Sequence, residues 1–344
     1  MKKEYLYNKK NRAELKKELL SESFNRITSS FYRYIAIDDP GSLRDQLYKA
    51  WSALKVLGRI YISKEGINAQ FSIPEHNWDI FIDSIESFNE LKQIPMKIAI
   101  EDGNSFYKLT IKEKDEIVAY NVSADEYDMN IVGRHLDSKA FNRKIDQKGS
   151  IVVDMRNYYE SEVGKFSGAI TPNVSKSKEL LPEVKNLLKG HEEDPVLLYC
   201  TGGIRCEKAS SYLLHSGFKD VYQLSGGIIK YAHEVKKKNL SSKFKGKNFV
   251  FDARMGERVT EDIIGKCYQC GAQSDTHLDC NNDACHVLFI QCIACKEEYS
   301  GCCSIECKNF SELSLDQQRN FRKDPNKIVS KARYSFRAES INKG

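Results

Sequence analysis

The segment spanning residues 198–206 carries the residue types of a nucleophilic sulfur site. An apolar run ends at Cys200, a loop with Gly202 and Gly203 follows, and Arg205 closes that loop where a helical pattern begins. Backbone N–H groups, a helix N-terminus and a nearby cation all stabilise a thiolate over a thiol. We therefore expect Cys200 to be a catalytic nucleophile or sulfur carrier, with Arg205 as its partner. The alternative is a buried cysteine beside an ordinary strand-to-helix turn.

The loop between these two residues is short. Its members form the predicted active-site loop, Thr201, Gly202, Gly203 and Ile204. Cysteine-dependent phosphatases of similar topology use a longer loop, so the short loop favours a sulfur substituent on the cysteine over phosphate hydrolysis. The two glycines let backbone N–H groups turn inward without Cβ clashes.

Neighbouring polar residues have more than one possible role. Arg205 adds positive charge that favours a thiolate, but it could equally clamp the loop to a carboxylate, either Asp154 or Glu160. Asp154 and Arg156 are predicted to brace the fold rather than to react. Cys206 is interpreted as a small buried helix residue, with a resolving thiol as the less favoured alternative.

A second chemical feature is a dense cysteine array. The chain has 11 cysteines, and nine of them lie within residues 267–307. Closely spaced cysteine pairs in a long chain indicate metal ligands before disulfides, and eight thiolates suit two tetrahedral Cys₄ zinc sites. The predicted metal ligands are Cys267, Cys270, Cys280, Cys285, Cys292, Cys295, Cys303 and Cys307, with Cys302 spare.

The sequence leaves the pairing within this array open. A cross-braced arrangement would join the first pair to the third and the second pair to the fourth. Disulfides or free thiols remain the alternative to zinc, and His277 and His286 could replace ligands, although neither is expected to. The segment has few apolar periodic runs, so it needs such cross-links to fold.

Basic residues flank the cysteine array. Residues 230–266 contain ten Lys and Arg against five Asp and Glu, and residues 308–344 contain nine against four. Such stretches suit a phosphate-rich partner, although many charged runs are only solvated surface. The predicted RNA contacts are Lys243, Lys245, Lys247, Arg254 and Arg258. If they bind phosphates, affinity for RNA should fall steeply with added salt.

The hydropathy of the chain argues against a membrane protein. Mean hydropathy is −0.53, no apolar run approaches the length of a membrane span, and the charged first twenty residues exclude a signal-peptide core. We expect a cytoplasmic protein with no membrane partner. At 344 residues it can hold two or three domains.

Three structured parts must position these residues in an α/β multidomain chain. Residues 1–29 are predicted to be a charged extension. Residues 30–122 follow the order β-α-β-β-α-β of a ferredoxin-like α+β sandwich. That domain would serve either packing and docking or RNA binding.

Residues 123–240 alternate strands and helices. Continuous apolar runs such as 151–154 and 196–199 predict buried strands of a parallel sheet. Cys200 follows one of them, at the carboxyl end of the sheet, where ligands bind. A single amphipathic helix is predicted over 128–146. Residues 241–310 form a basic linker and the Cys-rich metal-type module, and the basic tail 311–344 is predicted to be disordered.

Several motifs resemble a known domain and then one family that contains it. Residues 135–232 look like a rhodanese domain, from the stretches 152–156, 168–170, 199–205 and 224–228. Residues 58–61, 65–69, 200–210 and 246–252, with the cysteine array, are similar to the oxygen-dependent tRNA uridine-34 hydroxylases. One departure, Lys165 where rhodaneses commonly have His, falls at a structural position. The resemblance extends from Ser30 to Cys307.

The resemblance implies an activity and its reactants. Members of this family combine an acylphosphatase-like N-terminal domain, a rhodanese domain and a Cys-rich module. The implied reaction is 5-hydroxylation of the wobble uridine in the anticodon loop of tRNA, with molecular oxygen as co-substrate. Cys200 matches the essential cysteine and by analogy with rhodaneses is expected to carry a persulfide, which implies a sulfur donor. The sequence contains no nicotinamide or flavin motif and no iron motif.

Two other functions compete with this one. A thiosulfate-type sulfurtransferase would use the same Cys200 persulfide but would leave the N-terminal domain and the cysteine array unexplained. A non-catalytic RNA-binding scaffold would not need both Cys200 and Arg205. For the hydroxylase we hypothesise that Cys200, as thiolate or persulfide, adds to C6 of the uracil so that C5 becomes reactive towards oxygen.

Overall fold

The computed structural model describes residues 6–8, 10–285 and 287–323. Its first element is a short helix, α1 (Arg12–Leu20), in the predicted N-terminal extension. The side chain of Asn11 accepts a hydrogen bond from the backbone of Glu14 and so caps this helix. His286 and the residues after 323 lie outside the described residues.

The first domain is a five-stranded sheet covered by two helices. Its elements are β1 (Arg26–Tyr34), α2 (Pro40–Ala53), β2 (Leu57–Ser63), β3 (Gly66–Pro74), α3 (Trp78–Glu86), β4 (Lys97–Ile98) and β5 (Leu109–Glu113). The strand order is β4-β1-β3-β2-β5. Neighbours pair antiparallel except β2 and β5, which pair in parallel.

The two faces of this sheet have different chemistry because strand side chains alternate. One face carries buried residues such as Phe31 and Phe71, which pack with Trp51 of α2. The opposite face carries Tyr32 and Tyr61 into a cavity described below. Strand β1 begins at Arg26, four residues before the predicted domain start, because its pairing with β3 runs from Arg26 opposite Pro74.

The second domain is built on a four-stranded sheet of order β6-β10-β9-β7 whose strands all pair in parallel. Its elements are β6 (Arg134–Leu136), α4 (Ser138–Ile145), β7 (Ile151–Asp154), α5 (Tyr158–Ser161), β8 (Gly164–Phe166), α6 (Ser177–Leu187), β9 (Val196–Tyr199), α7 (Ile204–His215), β10 (Val221–Leu224) and α8 (Gly227–Lys238). Strand β9 is buried along its whole length. Cys200 is the residue after it, so it lies at the carboxyl end of the sheet.

The single helix predicted over 128–146 is wrong. Residues 134–136 instead form β6 beside β10, and only Ser138–Ile145 are helical. Gly133 lies so close to α7 that a Cβ there would be 2.8 Å from Cβ of Ser210. Asp137 then starts the shorter helix by accepting a hydrogen bond from Ala140. Strand pairing therefore overrides the helical periodicity.

The C-terminal part consists of short elements. They are β11 (Phe244–Asn248), β12 (Glu257–Arg258), β13 (His277–Asp279), β14 (Leu288–Ile290), α9 (Ile293–Glu298), α10 (Ile305–Ser311) and α11 (Leu315–Lys323). Strand β11 pairs with β8 of the second domain, so the two parts share a sheet. Helix α11 lies in the tail predicted to be disordered, and Ser314 accepts a hydrogen bond from the backbone of Gln317 at its start. None of the helices in the described ranges has the length and hydropathy needed to span a bilayer.

Candidate active site and metal centres

Cys200 lies directly after β9 and before α7, which begins at Ile204. Its side chain is fully buried, and the backbone N–H of Gly203 donates a hydrogen bond of 3.1 Å to its Sγ. The fold therefore places the sulfur at the carboxyl end of the sheet and at the N-terminus of a 12-residue helix. Both features favour a negative charge on the sulfur.

The surroundings of this sulfur lower its pKa. Burial alone raises the pKa of Cys200, but a hydrogen bond from the Cys206 thiol, the charge of Arg205 and the amides of Cys206 and Gly203 outweigh it, so that the pKa is about 6. Burial and the neighbouring sulfur raise the pKa of Cys206 well above its ordinary value. Cys206 is therefore the proton donor of the pair, and Cys200 is a thiolate at neutral pH.

Arg205 is held by a carboxylate. Its Nη1 and Nη2 lie 2.7 and 2.9 Å from Oε1 and Oε2 of Glu160, a bidentate pair. Nη2 also donates to Oγ1 of Thr201 at 3.3 Å. Of the two carboxylates that the sequence left open, Glu160 is thus the partner. The guanidinium clamps the loop to α5 while its charge still acts on Cys200.

Asp154 and Arg156 form a separate buried pair beneath the loop. Arg156 donates to Asp154 through Nε at 2.8 Å and Nη2 at 2.7 Å, and both side chains are fully buried. The hydroxyl of Tyr199 donates to Asp154 at 2.7 Å, and Arg156 donates to the carbonyl of Gly164 at 2.6 Å. These bonds tie β7, β9 and β8 together, below the reactive sulfur.

A second glycine-rich turn supports the loop from the other side. The amides of Ile228 and Ile229, at the start of α8, donate to the carbonyls of Cys200 and Thr201 at 3.0 and 3.1 Å. Gly227 has a φ of +66°, and a Cβ there would lie 2.6 Å from both carbonyl oxygens. The sequence showed this glycine only as part of the rhodanese resemblance. Its role is to let a helix N-terminus approach the loop backbone.

A cavity of about 440 Å³ lies against the loop, within the size range of small-molecule sites of about 300–1,000 Å³. Three parts of the chain line it. Representative lining residues are Tyr32, Arg59, Tyr61 and Lys97 from the first domain, Thr201, Gly202 and Arg205 from the loop, and Phe251 and Arg254 from the C-terminal part. The lining combines aromatic and charged side chains with aliphatic ones such as Ile117, Val118 and Val250, and aromatic side chains can stack on a nucleobase.

Three tyrosines, two on β1 and one after β5, contact α7 directly. The hydroxyl of Tyr32 donates to Glu207 at 3.0 Å, and that of Tyr34 donates to the carbonyl of Ile204 at 3.2 Å. Tyr120 donates to the carbonyl of Arg205 at 3.2 Å. The sequence reasoning missed these residues. Their signal was present as tyrosines on the face of β1 opposite its apolar core residues, but no local pattern shows which surface such a face meets.

The cysteine array forms two groups. Cys267, Cys270, Cys292 and Cys295 make one, and Cys280, Cys285, Cys303 and Cys307 make the other. In each group the four Sγ atoms lie within 4.8 Å of one another. This is the cross-braced pairing, first pair with third and second with fourth. Neither group includes a histidine from the described residues, and Cys302 lies outside both.

The spacing within these groups suits a metal ion. The Sγ atoms of Cys285 and Cys303 lie 3.7 Å apart, as do those of Cys303 and Cys307 and those of Cys270 and Cys292. A tetrahedral ion with metal–sulfur bonds of about 2.3 Å separates its ligands by about 3.8 Å. A disulfide would need about 2.05 Å. The spacing therefore fits a bound metal ion and does not fit disulfides.

His277 lies beside the array but is not a ligand. It is buried against Phe249, with ring centroids 5.0 Å apart. Burial and the charge of Lys247 lower the pKa of His277 to about 3. It is therefore a neutral core histidine.

The predicted RNA contacts do not form one open patch. Lys247 and Arg258 both pair with Asp275, and Lys243 pairs with Asp146. Lys245 is exposed on β11, and within the described ranges no carboxylate pairs with it.

Arg254 has a different position from the other predicted RNA contacts. It pairs with Asp252 and Glu257, each at 2.6 Å, and lines the cavity. Only this member of the set reaches the candidate active site.

Comparisons with protein families follow the same three parts. Residues 26–117 match the UPF0176 acylphosphatase like domain, residues 137–234 the Rhodanese-like domain, and residues 245–308 the family described as Rhodanase C-terminal. The first match begins at the residue where β1 begins.

Whole-chain relatives carry one name. The chain is 50% identical to the tRNA uridine(34) hydroxylase of Leptospira interrogans over 96% of its length and 92% of that protein. It is 48% identical to the enzyme of that name from Hamiltonella defensa over 91% and 89% of the two chains. For the Cronobacter sakazakii protein the identity is 44% over 95% of each chain. This identity, over nine-tenths or more of the chain in each case, shows that the chain belongs to the tRNA uridine(34) hydroxylase family.

Proposed function

We propose that this protein hydroxylates C5 of uridine-34 in tRNA, using molecular oxygen as co-substrate and Cys200 as the catalytic nucleophile. The observation that carries the proposal is the position of the Cys200 sulfur, which accepts a hydrogen bond from the Gly203 amide behind a loop that lines a cavity of about 440 Å³. These surroundings lower its pKa to about 6. The names of the full-length relatives supply the substrate.

The chemistry begins at C6 because uracil C5 is unreactive towards oxygen in the aromatic-like ring. Addition of sulfur to C6 forms an S–C6 bond and displaces the C5=C6 electron pair towards C5 and O4. Carbon C5 then carries enolate character and can bond to oxygen. Insertion of one oxygen atom at C5 and release of the other as water consume two electrons, for which a thiol-class reductant is required. Loss of the C5 proton then expels the sulfur from C6, restores the C5=C6 bond and frees Cys200. Arg205 and the Cys206 thiol keep the sulfur anionic for the first step.

The burial of Cys200 restricts how a base reaches it. Its side chain has no exposed surface, while Thr201 and Gly202 beside it line the cavity. A base therefore meets the sulfur when the loop opens, or when a persulfide extends the reactive atom by about 2 Å beyond Sγ. The second route needs a sulfur donor. The thiolate thus requires the loop to open, whereas the persulfide can reach the base with the loop closed.

The nucleosides of tRNA test the function. A strain lacking its own copy of the gene is complemented with the wild-type chain or with Cys200→Ala, and tRNA nucleosides are analysed by mass spectrometry. We expect 5-hydroxyuridine derivatives only with the wild-type chain. Unchanged nucleosides together with rapid thiosulfate turnover would instead indicate a sulfurtransferase. Covalent trapping with tRNA carrying 5-fluorouridine-34 tests the adduct itself.

We further propose that each Cys₄ group binds structural Zn²⁺. The ion would supply cross-links that hold the short elements β13, β14, α9 and α10 together, since the apolar core there is small. No residue of the active-site loop belongs to either group. The metal would therefore support the C-terminal wall of the cavity without taking part in the reaction.

The remaining assignments are proposals of the same kind. The order β4-β1-β3-β2 supports a ferredoxin-like sandwich extended by β5, and the parallel strands support a rhodanese-type sheet. We propose domain boundaries near residues 30, 123 and 241 and a cytoplasmic location, since tRNA is the substrate. Lys245 is the RNA contact that the geometry favours most, because Lys243, Lys247 and Arg258 are weakened by their ion pairs. Arg254 lines the cavity but is held by Asp252 and Glu257 in the same way.

A further inference from the structure

Lys97 is a cation in the cavity wall, and the steps described above give it no role. It begins the edge strand β4, after the turn that follows α3, and its side chain lines the cavity with Thr201 and Gly202. Its ammonium nitrogen lies 4.2 Å from the centroid of the Tyr32 ring, which is cation–π distance. The Lys97 ammonium therefore lies on the ring of a residue that contacts the reactive loop.

The Tyr32 ring connects this lysine to the sulfur site. The hydroxyl of Tyr32 donates to Glu207 of α7, and a Cβ on Gly203 would lie 2.7 Å from the same hydroxyl oxygen. Gly203 in turn donates its N–H to Cys200. Lys97 and the loop residues that follow Cys200 thus line the same cavity, and the charge of Cys200 acts on the ammonium group.

The lysine has no carboxylate of its own. Within the described ranges no Asp or Glu lies at ion-pair distance from its Nζ, whereas Lys208 of α7 pairs with both Glu65 and Glu116. A cation that is half-buried and unpaired loses solvation without gaining a counter-charge. Such a cost is offset when a ligand brings negative charge to the site.

We propose that Lys97 is a catalytic residue that donates a hydrogen bond from its ammonium group to a carbonyl oxygen of the target uracil and stabilises the charge that develops there. This inference rests on the proposed function. When the Cys200 sulfur bonds to C6, the C5=C6 pair is displaced and one negative charge passes from sulfur to C5 and O4. A fixed cation interacts with that oxygen more strongly in the transition state than in the ground state, because negative charge develops on the oxygen.

The electrostatic surroundings of Lys97 agree with this role. Burial lowers the pKa of Lys97 to about 8, the negative charges of Cys200 and Glu207 oppose that shift, and Lys230 of α8 adds to it. Tyr32 faces the ammonium group with its ring and is neutral, because burial raises its pKa. His233, the other titratable side chain of α8 at this strand, donates from Nε2 to the carbonyl of Ile98 at 3.0 Å.

The resulting pH dependence follows from two groups. Cys200 must be deprotonated, so the rate rises with pH through about 6. Lys97 must be protonated, so the rate falls as pH rises through about 8. We expect a bell-shaped profile for the first-order rate at limiting tRNA, with the alkaline limb belonging to the lysine.

The test uses the full chain, unmodified tRNA and air-saturated buffer, with 5-hydroxyuridine measured by mass spectrometry in single turnovers. The variants are Lys97→Met, Lys97→Arg and, as a matched control in the same segment, Lys92→Met, which removes an exposed lysine. We expect Lys97→Met to slow the reaction by about 10²- to 10³-fold and to lose the alkaline limb. Lys97→Arg should retain activity and move that limb to higher pH, and Lys92→Met should behave as the wild type.

Two further measurements separate the possible outcomes. Lys97→Met should bind tRNA within threefold of the wild type and keep the alkylation profile of Cys200. A rate within threefold of wild type, or a loss of tRNA affinity equal to the loss in rate, overturns the role of Lys97 alone. If wild-type protein makes no 5-hydroxyuridine, the proposed function fails and this inference with it. If Lys97→Met does not fold, Lys97→Arg decides: a moved alkaline limb supports the proposal and an unmoved limb refutes it.

Discussion

The hydrogen bond from Cys206 to Cys200 gives the sharpest prediction about the loop. Among the groups that lower the pKa of Cys200 against its burial, the Cys206 thiol contributes most. Moving that pKa from 9.0 to about 6 corresponds to about 4 kcal/mol of thiolate stabilisation. We therefore expect Cys206→Ala to make Cys200 a weaker nucleophile at neutral pH, although Cys206 never touches the substrate.

The expected size follows from the value of a charged hydrogen bond. A bond to an ionised group is worth about 1.5–3 kcal/mol. With a wild-type pKa of about 6, about nine-tenths of the Cys200 side chains are thiolate at pH 7. Loss of the bond should reduce the thiolate fraction to roughly half if the bond is worth about 1.5 kcal/mol, and to less than a tenth if it is worth about 3 kcal/mol. Single-turnover hydroxylation at pH 7 should fall in the same proportion and recover in part as the pH rises towards 8, where Lys97 begins to lose its proton.

The assay must measure the reactivity of Cys200 alone among the 11 cysteines of the chain. Pulse alkylation with iodoacetamide across pH 5 to 10, followed by digestion and mass spectrometry, measures the reactivity of the Cys200 peptide alone. Cys206→Ser is the matched control, because its hydroxyl can still donate and should keep the thiolate fraction near that of wild type. The reasoning is refuted if Cys206→Ala titrates like wild type, or if Cys206→Ser titrates like Cys206→Ala.

Two other predictions concern stability and metal content. Glu160→Gln should lower the free energy of unfolding by about 3–5 kcal/mol, because it leaves the buried Arg205 charge without its carboxylate. Urea denaturation measures this energy, and the exposed control Glu193→Gln should change it by less than about 0.5 kcal/mol. Equal effects of the two variants would contradict the stabilising role of the Arg205–Glu160 pair. Elemental analysis should find two zinc ions per wild-type chain, matching the two Cys₄ groups. One ion should remain in Cys285→Ser and two in Cys302→Ser, whereas a wild-type protein without zinc would refute the metal assignment.

Local patterns in the sequence predicted the strand, turn and helix around Cys200. The apolar run 196–199 is a fully buried strand, and the glycines after it allow the turn into α7. These features depend on backbone conformation and side-chain size within a few residues, which a single sequence carries directly. The cysteine spacing was informative for the same reason, since short loops constrain where paired thiolates can lie.

Long-range contacts were the part that local patterns could not supply. Residues 128–146 have helical periodicity, yet 134–136 pair with β10, more than eighty residues later. The basic residues near β11 form ion pairs with Asp146 and Asp275, which charge counting along the chain cannot reveal. In each case the deciding partner is distant in sequence.

The contacts between the first domain and α7 explain why this rhodanese-type loop has a base-sized cavity. Lys208 is fully buried between Glu65 and Glu116, and Tyr32 donates to Glu207, one residue earlier. Buried ion pairs add little net stability, but they have strict geometric requirements. They therefore fix the orientation of the polar sheet face above the loop rather than strengthening the association. A loop thiolate alone can accept sulfur from small donors. The sheet face adds Tyr32, Arg59 and Lys97, and these side chains give that thiolate a place to hold a nucleobase.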